Sequence, residues 1–98
     1  MKNYKLYING NFQDSSSKET FTSIDPSTEE SWAAFAKANA QDVNTAVESA
    51  HDAFKGEWSK LFPSQRGQYL RLIGDQLKEN AELLGTIETR DTGKMFKE

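Results

Sequence analysis

Residues 4–13 read YKLYINGNFQ, and this stretch sets the first element of the fold. Tyr4, Leu6 and Ile8 alternate with polar or exposed positions, which is the period of two that indicates a strand. The Asn9-Gly10 pair that follows is the strongest short hairpin signal, because both turn residues must accept a positive φ. The stretch therefore predicts a β-hairpin, with its return strand directly after the turn.

Further strands are predicted after the polar loop that follows the hairpin. Residues 19–24 (ETFTSI) are rich in β-branched and aromatic side chains, which favours a short strand. Pro26 ends it, because proline fixes φ and holds the preceding residue in an extended conformation. Residues 31–38 alternate weakly and form a further strand, so that strands occupy residues 4–37. Its expected faces are Trp32, Ala34 and Ala36 on one side and Phe35 and Lys37 on the other.

Three helices are expected in the second half of the chain. The first covers residues 40–55, with Asn39 as its N-cap, Asp42 as a capping-box partner and Gly56 at its end. Its apolar stripe follows a helical period and comprises Val43, Ala46, Val47, Ala50 and Phe54.

The second helix, residues 63–79, begins at Pro63, whose missing N–H is tolerated in a first turn. Gly67 and Gly74 inside it each cost about 1 kcal/mol relative to Ala, which indicates close packing against a neighbour. The third helix, residues 81–91, is expected to be capped by Asn80 and stopped at Thr92-Gly93. The predicted class is α/β: a hairpin and short strands, followed by three helices. A charge placed on a stripe, as in Phe54→Asp or Leu70→Asp, is expected to weaken the fold.

Composition excludes several classes of function. Hydrophobic residues make up 36% of the 98 residues, which predicts a thin core for a chain folding alone. The net charge of −3 does not favour a nucleic-acid backbone, and no apolar run approaches the ~20 residues of a membrane span. The first residues lack the apolar core of a secretory signal. There are no cysteines, and a cytoplasmic location is expected.

No complete catalytic constellation is present in the sequence. His51 is the only histidine, so a nucleophile has no obvious base and a metal has no ligand cluster. The paired carboxylates Glu29-Glu30 and Glu79/Glu82 are interpreted as solvated side chains. Glycine spacing does not match a phosphate-binding loop. The chain is therefore predicted to be a piece of a larger enzyme, without catalytic or cofactor-binding residues of its own.

Three stretches together resemble the amino-terminal end of the aldehyde dehydrogenase superfamily. They occur in the family's order and spacing and cover nearly the whole chain. They are residues 7–12 (YINGNF) with 23–29 (SIDPSTE), residues 42–54 with the pairs Ala46-Val47 and Ala53-Phe54, and Trp58, Pro63 and Arg66 leading to residues 88–94 (ETRDTGK).

The resemblance implies the N-terminal portion of an enzyme that oxidises aldehydes to acids with NAD or NADP. In the family, the catalytic cysteine and glutamate and the main cofactor-binding residues lie in later sequence. Residues 1–98 would then be part of the Rossmann-like cofactor-binding domain, with no cofactor bound by this chain alone. The expected partners are the rest of the enzyme chain and, for the complete enzyme, further copies of itself.

One family feature carries over to named residues. Some members bind a monovalent cation near this end, largely through backbone carbonyls. The matching positions here are Ser23, Ile24 and Asp91, and a further ligand comes from later sequence. The resemblance thus implies a cation site that is incomplete in this chain.

The sequence departs from the family pattern at three positions. Asp25 replaces the commoner asparagine before the proline. Glu29 stands where glycine is usual, so a turn that needs positive φ is expected to be altered. Phe62 precedes Pro63 where a capping serine or threonine is common, and the second helix is expected to begin less cleanly.

Two interpretations of the whole chain are consistent with the sequence. One is a fragment of an aldehyde dehydrogenase, and the other is a free-standing interaction module whose apolar stripes dock a partner. A reading frame continuing past Glu98 would favour the fragment, and a native stop codon there would favour the module.

Overall fold

The structure is a computed structural model that describes residues 1–96. The α/β prediction is confirmed, since short strands precede three α-helices. The strands are β1 (Lys2–Tyr4), β2 (Leu6–Ile8), β3 (Asn11–Gln13), β4 (Thr20–Asp25) and β5 (Glu30–Ala36). The α-helices are α1 (Ala40–Lys55), α2 (Pro63–Glu79) and α3 (Ala81–Thr92), with a short 3₁₀ helix at Glu57–Lys60 between α1 and α2.

The predicted hairpin is present as an antiparallel pair of β2 and β3. Asn9 and Gly10 form its two-residue turn with φ of 51° and 77°, as the Asn-Gly pair predicts. The strand before the turn is shorter than expected, because the chain changes partners at Lys5. β1 pairs in parallel with β5 in a second sheet, whereas β2 pairs with β3 alone in the part of the chain that the structure describes. A period of two cannot reveal such a change, since both halves keep the same alternation.

The second sheet has three strands in the order β1-β5-β4. Phe35 in the central strand lies in register with Tyr4 on one side and Phe21 on the other. Its ring stacks on both, with centroids 5.2 Å and 5.4 Å apart. Aromatic pairs of this kind stabilise by about 0.5–1.5 kcal/mol each beyond the area that they bury. This aromatic row holds the three strands together on the face that carries α3.

Helix α1 begins at the predicted capping box. The Asn39 side chain accepts from the Asp42 N–H at 3.0 Å, and Asp42 accepts from the Asn39 N–H at 3.0 Å. The Asp42 carboxylate also accepts from the Ser16 N–H, at 3.1 Å and 3.2 Å to its two oxygens. The Asn39 amide donates to the Ser16 hydroxyl at 2.6 Å. The polar loop after the hairpin, which contains Ser15, Ser16 and Ser17, is therefore hydrogen-bonded to the start of α1.

The junction between α2 and α3 at Asn80 differs from the expectation. That residue was expected to cap α3, but it makes no side-chain cap there. Its amide instead donates to the Gln76 carbonyl at 2.8 Å, so it satisfies the C-terminal end of α2. Phe62 has no side-chain oxygen, so it cannot accept a hydrogen bond as an N-cap of α2. The side-chain bond at this helix start runs in the other direction, from the Phe62 N–H to Gln65 Oε1. Gly93 ends α3 in the left-handed conformation, as expected.

The helix stripes are present but are not covered by the rest of the described chain. Phe54 is 71% exposed and Leu70 is 69% exposed. The expectation that Phe54→Asp or Leu70→Asp weakens this fold therefore loses its basis for the isolated chain, because neither charge would be buried. A Cβ added at Gly67 or Gly74 would meet nothing within 4 Å, so the close packing expected there is absent among residues 1–96.

The shape explains these open stripes. The radius of gyration is 17.0 Å, compared with about 13 Å for a compact domain of 100 residues. The extents are 49 × 36 × 15 Å, so the chain forms a thin layer. Its accessible surface is 8199 Å², whereas a folded monomer of this mass exposes about 5,700 Å². The layer thus exposes roughly 2,500 Å² more than a self-contained domain.

Candidate functional site

Asp91, near the C-terminal end of α3, is the centre of a polar cluster between that helix and the sheet. Its Oδ1 accepts from the Ser23 hydroxyl at 2.5 Å and from Trp32 Nε1 at 3.2 Å. Ser23 lies in β4 and Trp32 in β5, so one carboxylate oxygen binds both strands. Hydrogen bonds to a charged acceptor are about twice as strong as neutral ones. Asp91 therefore fixes the end of α3 over the sheet.

A β-bulge brings Trp32 into this cluster. Ser23 pairs with Ala33 and Ile24 pairs with Ser31, which leaves Trp32 as an extra residue in β5. A bulge re-aims the extra side chain. The Trp32 ring consequently lies 6.5 Å from that of Phe35, with the planes nearly perpendicular.

The predicted faces of β5 need correction for this reason. Trp32 was expected to share a face with Ala34 and Ala36, opposite Phe35. The bulge moves it to the Phe35 side, where it is buried beneath α3. Strict alternation fails because the two strands differ by one residue across the bulge. The sequence contains no signal for that extra residue.

Arg90 adds a positive charge at the edge of the same cluster. Its guanidinium carbon lies 5.3 Å from the centre of the Trp32 ring, which is within the range of a cation–π contact. Its Nε lies 4.0 Å from Asp25 Oδ2. The Arg90 side chain is more than half exposed, so this long ion pair contributes little to stability. Neither Arg90 nor Trp32 was predicted from the sequence to belong to this cluster.

Asp25 organises the turn that faces Arg90. Its Oδ1 accepts from the Ser27 hydroxyl at 2.7 Å and from the Ser27 N–H at 2.9 Å. These two bonds hold the pKa of the Asp25 carboxyl below its ordinary value, with smaller lowering contributions from the Thr28 N–H and from Arg90. The side chain of Pro26 packs against Gly93, where an added Cβ would lie 3.1 Å from Cγ. The turn and the end of α3 therefore fit together closely.

The structure brings together two of the three predicted cation ligands. Ser23 and Asp91 are in direct contact through their side chains. Ile24 is the next residue in β4, and its side chain is exposed. Within residues 1–96, no three or more His, Cys, Asp or Glu side chains form a metal-binding group. His51 and the carboxylate pairs Glu29-Glu30 and Glu79/Glu82 are exposed.

Within the same part of the chain, no helix has both the length and the apolar character needed to cross a membrane.

Comparison with known proteins assigns a family. The model of the aldehyde dehydrogenase family matches residues 12–98. A (Z)-2-((N-methylformamido)methylene)-5-hydroxybutyrolactone dehydrogenase from Acinetobacter baylyi is 42% identical over 100% of this chain and 20% of its own length. Aldehyde dehydrogenase 1 from Tanacetum cinerariifolium is 45% identical over 94% of this chain and 19% of its own length.

Solved structures of this family contain the same arrangement of strands and helices. An NAD⁺ complex of a Bacillus cereus aldehyde dehydrogenase matches with a TM-score of 0.95 and 30% identity, over 98% of this chain and 20% of that one. A betaine aldehyde dehydrogenase point mutant from Staphylococcus aureus, in complex with NAD⁺, matches with a TM-score of 0.91 and 35% identity, over 95% of this chain and 19% of that one. The chain belongs to the aldehyde dehydrogenase family and spans about a fifth of the length of the relatives that it matches.

Proposed function

We propose that this chain is the N-terminal segment of an enzyme that oxidises an aldehyde to a carboxylic acid with NAD or NADP. The observation that carries the proposal is the match along the chain, at 42% identity to a curated dehydrogenase and a TM-score of 0.95 to a solved one. The polypeptide that would supply the catalytic nucleophile and the cofactor site corresponds to the remaining four fifths of these relatives.

The segment itself has a structural role in this proposal. It contributes strands and helices to the Rossmann-like cofactor-binding domain, and residues 1–98 form a part of that domain. The Asp91 cluster fixes α3 over the sheet, and Asp42 fixes α1 to the loop after the hairpin. The segment alone is expected neither to oxidise aldehydes nor to bind the cofactor. For the complete enzyme we propose a cytoplasmic homo-oligomer.

The open faces support a segment over a free-standing interaction module. A module that folds alone would bury a core of its own and expose one docking patch. Here the only hydrophobic side chains that are buried within residues 1–96 are Trp32, Ala33 and Ala34. The roughly 2,500 Å² of excess surface is about three times the ~800 Å² that one partner buries in a standard interface. Such an area is typical of a domain core that has been divided.

A chimaeric enzyme tests the proposed function. This chain replaces the matching fifth of the Staphylococcus aureus betaine aldehyde dehydrogenase, and NADH formation is followed with betaine aldehyde and NAD⁺. The chimaera is expected to be active, and the isolated 98-residue chain is expected to be inactive. A chimaera that is folded and oligomeric but inactive would contradict the proposal, as would turnover by the isolated chain.

We also propose that Ser23, Ile24 and Asp91 contribute to a monovalent cation site in the complete enzyme. Asp91 Oδ1 is occupied by two hydrogen bonds, but no hydrogen bond from the described residues reaches Oδ2, so that oxygen suits a ligand role. The bulge interrupts the regular pairing of β4 with β5 next to Ser23 and Ile24, which supply the carbonyl oxygens. These three residues fit part of a ligand set.

The cation proposal is tested by titrating the chimaera with sodium or potassium chloride, with choline chloride as the control for ionic strength. Saturable thermal stabilisation is expected, and Asp91→Ala is expected to remove it. If the melting temperature does not respond to either cation, and Asp91→Ala has no effect on that response, the site does not exist.

A further inference from the structure

Asn9 and Gly10 form the exposed tip of the β2–β3 hairpin. Among residues 1–96, Asn9 is hydrogen-bonded outside the strand ladder through its backbone carbonyl, which accepts from Asn11 Nδ2, and its side-chain amide stays free. The Gly10 N–H is also without a partner in that part of the chain, and a Cβ added at Gly10 would meet nothing within 4 Å. None of the other asparagines is followed by glycine. The tip therefore joins a reactive amide carbon to an unhindered backbone nitrogen.

We propose that Asn9 is a site of spontaneous deamidation, with water as the co-reactant. The Gly10 nitrogen bonds to Asn9 Cγ and gives up its proton as the Cγ–Nδ2 bond breaks, and Nδ2 leaves as ammonia. Water then opens the five-membered succinimide ring. Cleavage of the new bond between nitrogen and Cγ gives aspartate. Cleavage of the bond between nitrogen and the Asn9 carbonyl carbon gives isoaspartate, in which the main chain runs through Cγ and is one methylene longer.

The closed hairpin slows this reaction. Asn9 and Gly10 are held at φ of 51° and 77°, and ring closure needs a rotation about the Asn9 Cα–C bond that the two-residue turn restricts. The hairpin has three residues in each strand and no third strand among the described residues. An isolated two-stranded hairpin is marginally stable, so it opens locally while the rest of the fold stays intact. The rate of deamidation thus depends on hairpin opening.

The aspartate product changes the charge next to α1. Asp-Gly suits the same turn as Asn-Gly, so the hairpin itself is retained. Asn9 lines a shallow cavity of about 310 Å³ together with Glu48 and Asp52 of α1, and the other lining residues are uncharged. A third carboxylate there is repelled by the other two. Aspartate at position 9 therefore weakens the contact between the hairpin and α1.

The isoaspartate product acts on the hairpin instead. Its extra backbone methylene does not fit a two-residue turn, which sets the register of the strands. That register places Tyr7 opposite Phe12, with their rings 4.7 Å apart. Isoaspartate therefore separates this aromatic pair.

The experiment incubates the intact chimaera at neutral and at mildly alkaline pH. Tandem mass spectrometry follows the tryptic peptide of residues 6–18, which lies between Lys5 and the cleavage after Lys18. We expect a mass gain of about one dalton at Asn9, faster at alkaline pH because the attacking nitrogen must lose its proton. Asn11 in the same peptide is the internal control and is expected to stay unchanged, since Phe12 follows it.

Tyr7→Ala tests the role of hairpin opening. It removes the ring pair across the hairpin, and Asn9 conversion is expected to accelerate by about twofold to tenfold, which corresponds to the loss of one aromatic pair. No acceleration would show that opening does not control the reaction.

Asn9→Asp reproduces the aspartate product and tests its effect. Its melting temperature is expected to lie below that of the unsubstituted chimaera, and adding Glu48→Gln and Asp52→Asn is expected to reduce the loss. Asn3→Asp is the matched control, because it adds the same charge outside the cavity lining, and a smaller effect is expected. A loss that the neutral substitutions do not relieve would contradict the charge effect.

Two results would overturn the assignment of the site: no conversion of Asn9 at either pH, or equal conversion of Asn9 and Asn11. The mass measurement requires no turnover. An inactive chimaera that still converts at Asn9 would therefore support the deamidation site and count against the proposed function.

Discussion

Glu29 adopts a left-handed backbone conformation, with φ at 61°, at a position where the family usually has glycine. The turn was expected to be altered by this side chain, but it keeps the positive φ. The Glu29 N–H donates to the Asp25 carbonyl at 2.8 Å and closes the turn. A non-glycine residue in this region is disfavoured by about 1–2 kcal/mol. The turn is thus retained at the expense of backbone strain.

We therefore predict that Glu29→Gly stabilises the chimaera by about 0.5–1 kcal/mol, since glycine relieves the strain and the more flexible unfolded chain offsets part of the gain. The measurement is the change in apparent melting temperature. Glu30→Gly is the control, because Glu30 lies in β5 and has no positive φ. It is expected to destabilise. Equal effects of the two substitutions would show that Glu29 is not strained.

The Asp25 carboxyl gives a prediction for pH. Its pKa lies below the ordinary value of 3.8, mainly because the Ser27 hydroxyl donates to the charged form. A lowered folded-state pKa contributes stability above the unfolded-state pKa, and that contribution is lost as pH falls through the folded-state value. The stability difference between the unsubstituted chimaera and Ser27→Ala should be constant near neutral pH and shrink below about pH 4.

The check is a series of thermal melts of both proteins between neutral and acid pH. Ser31→Ala, which changes a serine outside the turn, is expected to show a difference that does not depend on pH in this way. A Ser27→Ala difference that grows as the pH falls would contradict the assigned cause of the pKa shift.

At the residue scale, the sequence predicted only part of the candidate site. Ser23 and Asp91 were found because the family resemblance places them, and the structure joins their side chains. Trp32 was missed as a member of the cluster because a bulge, which local composition does not encode, turns it toward Asp91. Arg90 was missed because its role depends on the position of the Trp32 ring.

At the element scale, the elements with local signals were predicted well. The Asn-Gly turn, the α1 capping box and the Gly93 stop each rest on residues only a few positions apart, and all three are confirmed. The predictions that were wrong concern which strand pairs with which, and which helix Asn80 caps. The chain changes sheets at Lys5, and Asn80 bonds backward to α2, because those outcomes depend on packing between distant elements.

The hydrogen bonds that join the start of α1 to the loop containing Ser16 give a prediction about how two elements are held together. Asp42 is buried, and it accepts backbone N–H groups from Ser16 and Asn39. Asp42→Ala is expected to destabilise the chimaera by about 1–2 kcal/mol, because it removes the capping-box bond to the Asn39 N–H and both bonds to the Ser16 N–H. The measurement is the apparent melting temperature, with Asp52→Ala on the exposed side of α1 as the control. If the two variants have the same melting temperature, the hydrogen bonds of Asp42 have no role in stability.

At the scale of the whole molecule, the sequence predicted a thin core from its low hydrophobic content, and the structure is a layer 15 Å thick. What composition does not predict is which faces stay open. The stripes of α1 and α2 have ordinary helical periods, yet Phe54 and Leu70 remain largely exposed. A periodic stripe shows that a face will be buried, but not whether the covering element belongs to the same segment.

The described residues bury few apolar side chains among themselves, and we infer that this layer needs the rest of an aldehyde dehydrogenase to fold. The most direct test is a thermal melt of the purified 98-residue chain, followed by circular dichroism. We expect a gradual, non-cooperative loss of helical signal, because so few apolar side chains are buried among residues 1–96. A single cooperative transition, independent of protein concentration, would show that the chain has a core of its own and would contradict that inference.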